Sequence, residues 1–206
     1  MRLFQKKAKL GLALGGGGAR GLAHIGVLKV LEEANLRPDF VAGTSVGSLV
    51  GALHCCGYTW RQIHDIAAST NWNDLASVVV PRMGLVNTKK LERFVDRLIG
   101  GKSFEELAVP FRAVAVDITR GEEVVLSQGP VSRAVRASAS IPGIFEPTRW
   151  EGRLLVDGGL LNNVPTGVVR DMGARVVVAV NLSGERAATR PPENILDVML
   201  YSLQVL

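Results

Sequence analysis

The chain has 206 residues, which is long enough for one domain with a sizeable core. Apolar residues make up 47% and charged residues 21%, a composition that excludes a disordered chain. The formal charge of +5 is moderate, so it favours anionic surfaces only weakly and predicts no nucleic-acid partner. Cys55 and Cys56 are the only cysteines and are adjacent, so they build no disulfide framework and favour a reducing, cytoplasmic location.

The first part of the chain predicts two strand–loop–helix units in succession. A strand is expected over 9–14, followed by a four-glycine loop over 15–18 and a helix over 22–34 that is apolar on most faces. A second strand over 40–42 leads through a corner into an uncharged helix over 48–53. The alternation of strands and helices predicts an α/β domain with a mainly parallel sheet.

Residues 40–60 carry no Asp, Glu, Lys or Arg, so a membrane span has to be considered there. Four glycines lie within this stretch, and we interpret it as a buried strand, turn and helix. Residues 58–86 predict short helices or a small helical cap over one end of the sheet. An amphipathic helix capped by Thr88 is expected to run to Ile99 and to stop at two glycines.

The second part of the chain returns to strand and helix patterns and then changes composition. The predicted elements are strands over 111–116 and 122–126, a helix over 131–139, a hairpin over 148–156, a helix over 165–172 and a buried parallel strand over 175–180. After residue 182 the chain becomes polar. We predict a linker and a C-terminal helical arm over 183–206, which packs on this subunit or on a second copy.

Gly43-Thr44-Ser45-Val46-Gly47 is the most informative motif, because it places a serine where a strand turns into a helix. Glycine two residues to either side of such a serine is the nucleophile-elbow pattern. The turn is sharp and crowded, so a Cβ at either flank would clash, and the serine hydroxyl is held clear of the backbone. The structural alternative is a serine that only caps the following helix.

A serine hydroxyl needs a base, and the histidines offer none in the usual order. The chain has three histidines, none after residue 64, and His54 lies about 13 Å along the helix from Ser45. A Ser-His-Asp triad therefore has little support. Two carboxylates end apolar runs, Asp117 and Asp157. Asp157 is the better candidate because two glycines follow it, whereas we interpret Asp117 as a turn or cap residue.

Residues 16–21, Gly-Gly-Gly-Ala-Arg-Gly, fit the G-x-G-x-x-G pattern between a strand and a helix. A dinucleotide site would also need an acid at the end of the second strand, and Asp39 precedes that strand instead. No Lys-Ser or Lys-Thr follows, which excludes a Walker loop. Bare amides at a helix N-terminus would serve an oxyanion equally well, with Arg20 positioning the loop or holding a phosphate.

Together these segments resemble the patatin-like phospholipases. That family has a G-G-G-x-R-G loop, a G-x-S-x-G elbow and a D-G-G or D-G-A triplet, in that order. The chain carries them at residues 16–21, 43–47 and 157–159. Flanking runs agree at 23–28 (Ala-His-Ile-Gly-Val-Leu) and 140–147 (Ser-Ile-Pro-Gly-Ile-Phe-Glu-Pro), and the resemblance spans roughly residues 10–182.

The resemblance implies a three-layer α/β sandwich and a serine acyl hydrolase that needs no metal or cofactor. Ser45 and Asp157 would form a catalytic dyad, and the amides of Gly16, Gly17 and Gly18 would hold the oxyanion. The supporting motif residues would be Arg20, Gly21, Gly43, Gly47, Gly158 and Gly159. The substrate would be a lipid or other acyl ester. Residues 1–182 would form the catalytic domain.

Two other functions fit the same residues. One is a nucleotide-binding protein that uses the glycine loop, and the other is a catalytically silent regulatory protein of the same family. Trp60, Trp72 and Met83 either line an acyl pocket, touch a membrane or pack in the core. The basic residues near the N-terminus, together with the net charge, are compatible with peripheral contact to an anionic membrane surface.

Overall fold

A computed structural model describes residues 8–70, 77–78, 86–87, 89–183 and 191. These residues form a seven-stranded mixed sheet and a separate two-stranded ribbon. The strands are β1 (Leu10–Leu14), β2 (Phe40–Thr44), β3 (Ser77–Val78), β4 (Val86–Asn87), β5 (Phe111–Asp117), β6 (Glu122–Leu126), β7 (Thr148–Trp150), β8 (Arg153–Asp157) and β9 (Val176–Val180). The helices are α1 (Leu22–Glu33), α2 (Val46–Cys55), α3 (Trp60–Ser69), α4 (Lys89–Ile99), α5 (Val131–Ser138) and α6 (Thr166–Asp171).

The sheet has a parallel half and an antiparallel half that join at β5. Strands β9, β1, β2 and β5 are neighbours in that order and run parallel to one another. Strands β6 and β8 pair with β5 in the antiparallel sense, and β7 forms a hairpin with β8. The α/β class with helical crossovers between parallel strands is therefore confirmed.

Strand β5 brings the ends of β2 and β8 together. Thr44, the last residue of β2, lies opposite Val114, while Asp157, the last residue of β8, lies opposite Ala115. Strand β6 pairs along 113–117, which occupies the other edge of β5. Because a strand has only two edges, β2 and β8 share one of them and meet end to end from opposite directions. Thr44 and Asp157 therefore lie opposite consecutive residues of β5. Their offset in the strand direction is about 3.3 Å, the rise of one residue.

Alternating side chains cover the two faces of the sheet, as the period of two in a strand requires. Leu12, Leu14 and Val41 lie in a buried cluster to which helices α1–α5 contribute. The intervening Ala13 and Ala42 lie in a second cluster with residues of α6. Helices therefore cover both faces, which gives the three layers that were predicted.

Most predicted elements are present within two or three residues of their expected ends. The uncharged stretch 40–60 forms β2, α2 and the start of α3, which confirms the buried strand–turn–helix. No described helix combines the length and the apolarity that crossing a bilayer requires. In the predicted cap, α3 packs against α1 and α2, whereas residues 71–76, 79–85 and Thr88 lie outside the described residues.

One expectation about burial is wrong. The apolar run over 175–180 indicated a strand covered on both faces, but β9 is the edge strand of the described sheet, and Val176 is 51% exposed. Strand β9 pairs with β1 in the parallel sense, as expected of a strand in a parallel sheet. The C-terminal arm lies outside the described residues apart from Ser183 and Pro191, so its packing and the division at residue 182 remain predictions.

Candidate functional site

Ser45 stands at a strained corner between β2 and α2. Its φ of 54° and ψ of −124° lie in a region that side-chain-bearing residues rarely adopt. A side chain at Gly43 would collide with the backbone of Gly47, and one at Gly47 with the backbone of Leu14. The two glycines therefore permit the close packing that forces Ser45 into this conformation.

Hydrogen bonds fix both backbone groups of Ser45. Its N–H donates to the hydroxyl of Ser138 at 2.9 Å, and that hydroxyl donates onward to the carbonyl of Val114. The hydroxyl of Ser48 donates to the Ser45 carbonyl at 2.6 Å. Ser138, at the end of α5, was not recognised from the sequence, because a serine in a run of small residues carries no specific signal.

The Asp157 carboxyl lies beside Ser45, close enough for the Ser45 side chain to act on the pKa of this carboxyl. Asp157 as a whole residue is 7% exposed, and its Oδ1 accepts from the Gly159 N–H at 2.8 Å. Burial raises the pKa of Asp157 to about 6, although the Ser45 side chain and the Gly159 N–H both act to lower it. A carboxyl with this pKa exists in both protonation states near neutral pH, so it can accept and return a proton.

The two glycines after Asp157 differ in what they permit. A side chain at Gly158 would collide with the carbonyl of Val114, so this glycine lets β8 end tightly against β5. Gly159 supplies the amide that orients the Asp157 carboxyl.

Asp117 is buried at the end of β5, and both of its carboxylate oxygens accept hydrogen bonds from residues of its own turn. Its Oδ1 accepts from the N–H of Thr119 at 3.0 Å and from the hydroxyl of Thr119 at 2.6 Å, and its Oδ2 accepts from Arg120 at 2.7 Å. These bonds, the Thr119 hydroxyl first, lower the pKa of Asp117 to about 2. The interpretation of Asp117 as a turn residue is confirmed.

The histidines do not bond to Ser45 in the described residues. His24 is buried and donates from Nε2 to the Gly15 carbonyl at 2.8 Å, while burial lowers its pKa and its Nδ1 has no partner there. His54 lies in α2 and is partly buried, whereas His64 is exposed beside Asp65. His24 thus supports the start of the glycine loop as a neutral side chain, a role that its position in the sequence did not reveal.

The glycine loop lies between the end of β1 and a 3-10 turn over Gly18–Gly21 that leads into α1. The Gly16 N–H donates to the Asn163 carbonyl at 3.1 Å, so one of the three predicted oxyanion donors is already paired. In the described part of the chain, the N–H groups of Gly17 and Gly18 have no protein acceptor. They are available to a ligand.

Arg20 and Gly21 hold the loop in different ways. The Arg20 N–H closes the turn onto the Gly17 carbonyl at 3.2 Å, but its side chain is exposed and bonds to nothing in the described loop. Gly21 lies against Val46, which follows Ser45, and a side chain at Gly21 would collide there. The glycine loop therefore packs closely against the turn at Ser45.

Asn163 is a site residue that sequence reasoning missed. A Cβ placed on Gly16 would lie 2.6 Å from Asn163 Oδ1 and 3.3 Å from the Cβ of Ser45, so Asn163 and Ser45 both flank Gly16. Its Nδ2 donates to the hydroxyl of Ser183 at 3.1 Å. The only signal in the sequence is its position six residues after Asp157.

An apolar pocket of about 220 Å³ begins at the glycine loop and at Val46. It extends between α1, α2, α3 and α4, and Thr70 is the one side chain with a polar group among its described lining residues. Its lining residues are Gly18, Ala19, Gly21, Leu22, Ile25, Val46, Leu49, Val50, Leu53, Ile63, Ile66, Ala67, Thr70 and Phe94. Trp60 lies outside this pocket, in a neighbouring groove, and Trp72 and Met83 lie outside the described residues.

No group of three or more His, Cys, Asp or Glu side chains within the described ranges is placed to hold a metal ion. Among the described residues, the polar groups near the corner include the Ser45 hydroxyl, the Asp157 carboxyl, the Asn163 side chain and the N–H groups of Gly17 and Gly18.

Comparison with known proteins agrees with this geometry. A family model described as "Patatin-like phospholipase" matches residues 12–170. An uncharacterized NTE family protein of Mycobacterium tuberculosis is 36% identical over 182 residues, which is 87% of this chain and 50% of that protein. Patatin-like phospholipase domain-containing protein 6 of Homo sapiens is 36% identical over 184 residues, which is 85% of this chain and 13% of that protein.

Solved structures agree on the fold. VipD of Legionella pneumophila superposes with a TM-score of 0.63 at 16% identity, over 78% of this chain and 47% of that one. ExoU of Pseudomonas aeruginosa, in complex with SpcU, gives 0.54 at 16% identity, over 66% of this chain and 38% of that one. The chain spans half the length or less of these curated relatives. From the family match and these identities, the chain belongs to the patatin-like phospholipase family.

Proposed function

We propose that the protein is a serine acyl hydrolase that cleaves lipid carboxylic esters, with Ser45 as nucleophile and Asp157 as base. One observation carries the proposal: a serine in a strained conformation lies beside a buried carboxyl whose pKa is about 6. An ordinary aspartate is a weak base near neutral pH, and the raised pKa brings Asp157 closer to the value that suits proton transfer there.

The reaction would proceed in two halves on the same groups. The Ser45 oxygen attacks the ester carbonyl carbon while Asp157 takes the hydroxyl proton. The tetrahedral intermediate then expels the alcohol, which receives that proton from Asp157. In the second half a water molecule gives a proton to Asp157 and attacks the acyl-serine. Fatty acid leaves, and the proton returns to Ser45.

The N–H groups of Gly17 and Gly18 are the proposed oxyanion donors, because the Gly16 N–H is paired with Asn163. Helix α2 begins immediately after Ser45, so the positive end of its dipole also lies at the corner. Each such donor typically contributes on the order of 10²–10³ in rate. A carboxylate base weaker than histidine makes this contribution more important.

A fluorophosphonate probe tests the nucleophile directly. We expect covalent labelling at Ser45, no labelling of Ser45→Ala, and strongly reduced labelling of Asp157→Asn. Well-folded wild type that stays unlabelled and hydrolyses no ester contradicts the proposal and favours a catalytically silent protein. Nucleotide binding in equilibrium dialysis that survives Ser45→Ala would favour the nucleotide-binding alternative.

The apolar pocket supports a substrate with one acyl chain at the nucleophile. Its volume of about 220 Å³ is below the roughly 300–1,000 Å³ of common ligand sites, and its walls are almost entirely apolar. Ala67→Phe should shorten the preferred chain in a series of p-nitrophenyl esters from acetate to palmitate, and Phe94→Ala should lengthen it. Ala34→Phe, at an exposed position that lines neither this pocket nor the neighbouring groove, is the matched control and should leave the profile unchanged.

Peripheral contact with an anionic membrane is part of the proposal and is supported by the groove between α1 and α3. Leu22 is 63% exposed there and also lines the apolar pocket. Lys29 and Arg61 lie over the Trp60 ring at 5.1 Å and 4.6 Å from its centroid. Basic and aromatic side chains beside an apolar opening suit the surface from which a lipid chain would enter.

Vesicle binding tests this surface. Lys29→Gln combined with Arg61→Gln should weaken binding to phosphatidylglycerol-containing vesicles by about thirtyfold, since each of the two basic residues contributes on the order of 1 kcal/mol near an anionic surface. Arg170→Gln combined with Arg175→Gln removes the same charge from exposed positions elsewhere and should have little effect. Equal losses for both pairs would assign the binding to net charge alone.

A further inference from the structure

A basic cleft lies apart from the candidate site and shares no lining residue with the apolar pocket. It measures about 570 Å³ and lies between α4, α5 and the β7–β8 hairpin. Of its described lining residues, five carry a cation and two carry a carboxylate. We infer that this cleft binds a molecule bearing a phosphate group.

The floor of the cleft is an ion-paired arginine. Arg136 has a side chain that is 10% exposed and lies 3.0 Å from Glu92 and 3.9 Å from Glu146. The two carboxylates come from α4 and from the loop before β7, so Arg136 ties three segments together. Both carboxylates of the cleft are thereby engaged with Arg136.

The walls carry three arginines from three different elements: Arg93 from α4, Arg133 from α5 and Arg149 from β7. None of them forms an ion pair with a carboxylate in the described part of the chain. Arg93 donates to the Lys89 carbonyl and Arg133 to the Arg149 carbonyl, both backbone acceptors that carry no charge. Arg133 also lies over the Trp150 ring, 5.2 Å from its centroid, which restrains its guanidinium at the edge of the cleft.

Three guanidinium groups around one cavity repel one another, and an anion with several acceptor oxygens relieves that repulsion. Guanidinium forks match the oxygens of carboxylate and phosphate. A carboxylate offers two coplanar oxygens and a single charge, whereas a phosphomonoester offers three terminal oxygens in different directions and up to two charges. Arginines that approach from three elements therefore fit the phosphomonoester better. The volume far exceeds one phosphate, so the group belongs to a larger molecule.

Fluorescence titration measures the binding, because Trp150 lies under Arg133. In a Trp60→Phe, Trp72→Phe background Trp150 is the remaining tryptophan. We expect saturable quenching or enhancement with glycerol 3-phosphate and with pyrophosphate. Arg133→Gln combined with Arg149→Gln should weaken it by about tenfold or more, since each charged hydrogen bond lost costs a factor of this order. Isothermal titration of the same protein provides a readout independent of the tryptophan.

Arg170→Gln combined with Arg175→Gln is the matched control, because these exposed arginines remove the same charge and lie outside the cleft. Equal weakening by both pairs overturns the inference, as does malonate binding as tightly as pyrophosphate, or no saturable binding of any phosphate probe. All four arginines are exposed, so loss of folding is not expected, and circular dichroism checks this.

Binding to lipid vesicles distinguishes a lipid headgroup from a soluble phosphate compound as the ligand of the cleft. Phosphatidic acid presents a phosphomonoester, whereas phosphatidylglycerol at matched surface charge presents a diester. Preference for phosphatidic acid vesicles that is lost in the Arg133/Arg149 variant identifies a lipid headgroup. Binding of the soluble probes without that preference identifies a free phosphate compound. The inference does not depend on hydrolase activity, so Ser45→Ala should bind every probe as wild type does.

Discussion

Asp117 and Asp157 are two buried aspartates at strand ends in the same part of the sheet, yet their proton affinities differ greatly. Asp117 is the last residue of β5, and Asp157 pairs with Ala115 two positions earlier on that strand. The pKa of Asp117 is lowered to about 2, and that of Asp157 is raised to about 6. Burial raises both, so the difference comes from the donors that surround each carboxyl.

The residues that follow each aspartate set those donors. After Asp117 come Ile118, Thr119 and Arg120, and the last two supply an amide, a hydroxyl and a guanidinium to its oxygens. After Asp157 come two glycines, which supply one amide and no side chain. A carboxyl saturated with donors stays ionised, while one left with an amide and the Ser45 hydroxyl can take a proton.

The largest expected difference between the two is in activity. Asp157→Asn should lower kcat for ester hydrolysis on the order of 10³, because general-base catalysis contributes about 10²–10⁴ and the amide accepts no proton. Asp117→Asn, the matched change, should leave kcat within a few fold. Steady-state hydrolysis of a soluble ester measures both. Comparable losses in the two variants, with both folded, would remove the distinction between them.

The pH dependence of the wild type gives the next largest effect. Asp157 must be ionised to accept the Ser45 proton, so kcat/KM should be constant well above pH 6 and fall tenfold per pH unit below it. The drop between pH 8 and pH 4 is then about a hundredfold. Asp117→Asn should keep the same acid limb, because a group with a pKa of about 2 does not titrate there. Circular dichroism at pH 4 checks that the protein is still folded there. If kcat/KM of the folded wild type begins to fall only near pH 4, the assignment of Asp157 as the base is contradicted.

Local patterns in the sequence were sufficient to predict most of the fold and the corner. Glycines around Ser45, the apolar run before it and the uncharged helix after it are short-range signals, and each has a steric or burial cause that acts within a few residues. The turn role of Asp117 could be predicted for the same reason, since its partners are two and three residues away.

Long-range geometry could not be predicted in this way. The approach of Asp157 to Ser45 depends on strand pairing, because β8 runs antiparallel to β5 and meets β2 from the other direction. Ser138 reaches Ser45 across 93 residues, and Asn163 reaches Gly16 across a still longer separation in the sequence. Neither side chain has a distinctive neighbourhood in the sequence. Nor did the sequence indicate that the Gly16 amide is already paired, since its acceptor is a backbone carbonyl.

Stability should respond to the two aspartates in opposite directions. The pKa of Asp157 lies above its ordinary 3.8, so the folded protein loses stability as pH rises through about 6, by up to about 3 kcal/mol. Asp157→Asn avoids that buried charge, and it should be more stable than wild type at pH 8 and similar to it near pH 4. Urea unfolding at the two pH values measures the effect.

For Asp117 the sign reverses. Its pKa is lowered, so its contribution is present above the ordinary value of 3.8 and is lost as pH falls towards 2. Asp117→Asn should therefore be less stable than wild type at neutral pH, and the gap should narrow on acidification. A variant of Asp157 that is destabilised at pH 8, or one of Asp117 that is stabilised there, would show that the donors do not set the balance.

The smallest expected effect tests whether the position of Ser45, and not only the pKa of its partner, matters. Ser138→Ala removes the acceptor of the Ser45 N–H and should lower kcat about tenfold with little change in KM, because the strained corner relaxes away from Asp157. Ser132→Ala is the matched control: Ser132 is buried on the same helix and donates to Asp96 at 2.9 Å instead. Both changes should cost about 1 kcal/mol of stability, the usual value of one hydrogen bond. If the two variants lose equal stability and both keep wild-type kcat, Ser138 only supports the fold. If kcat falls in Ser138→Ala but not in Ser132→Ala, and Ser138→Thr restores it in part, Ser138 positions the nucleophile.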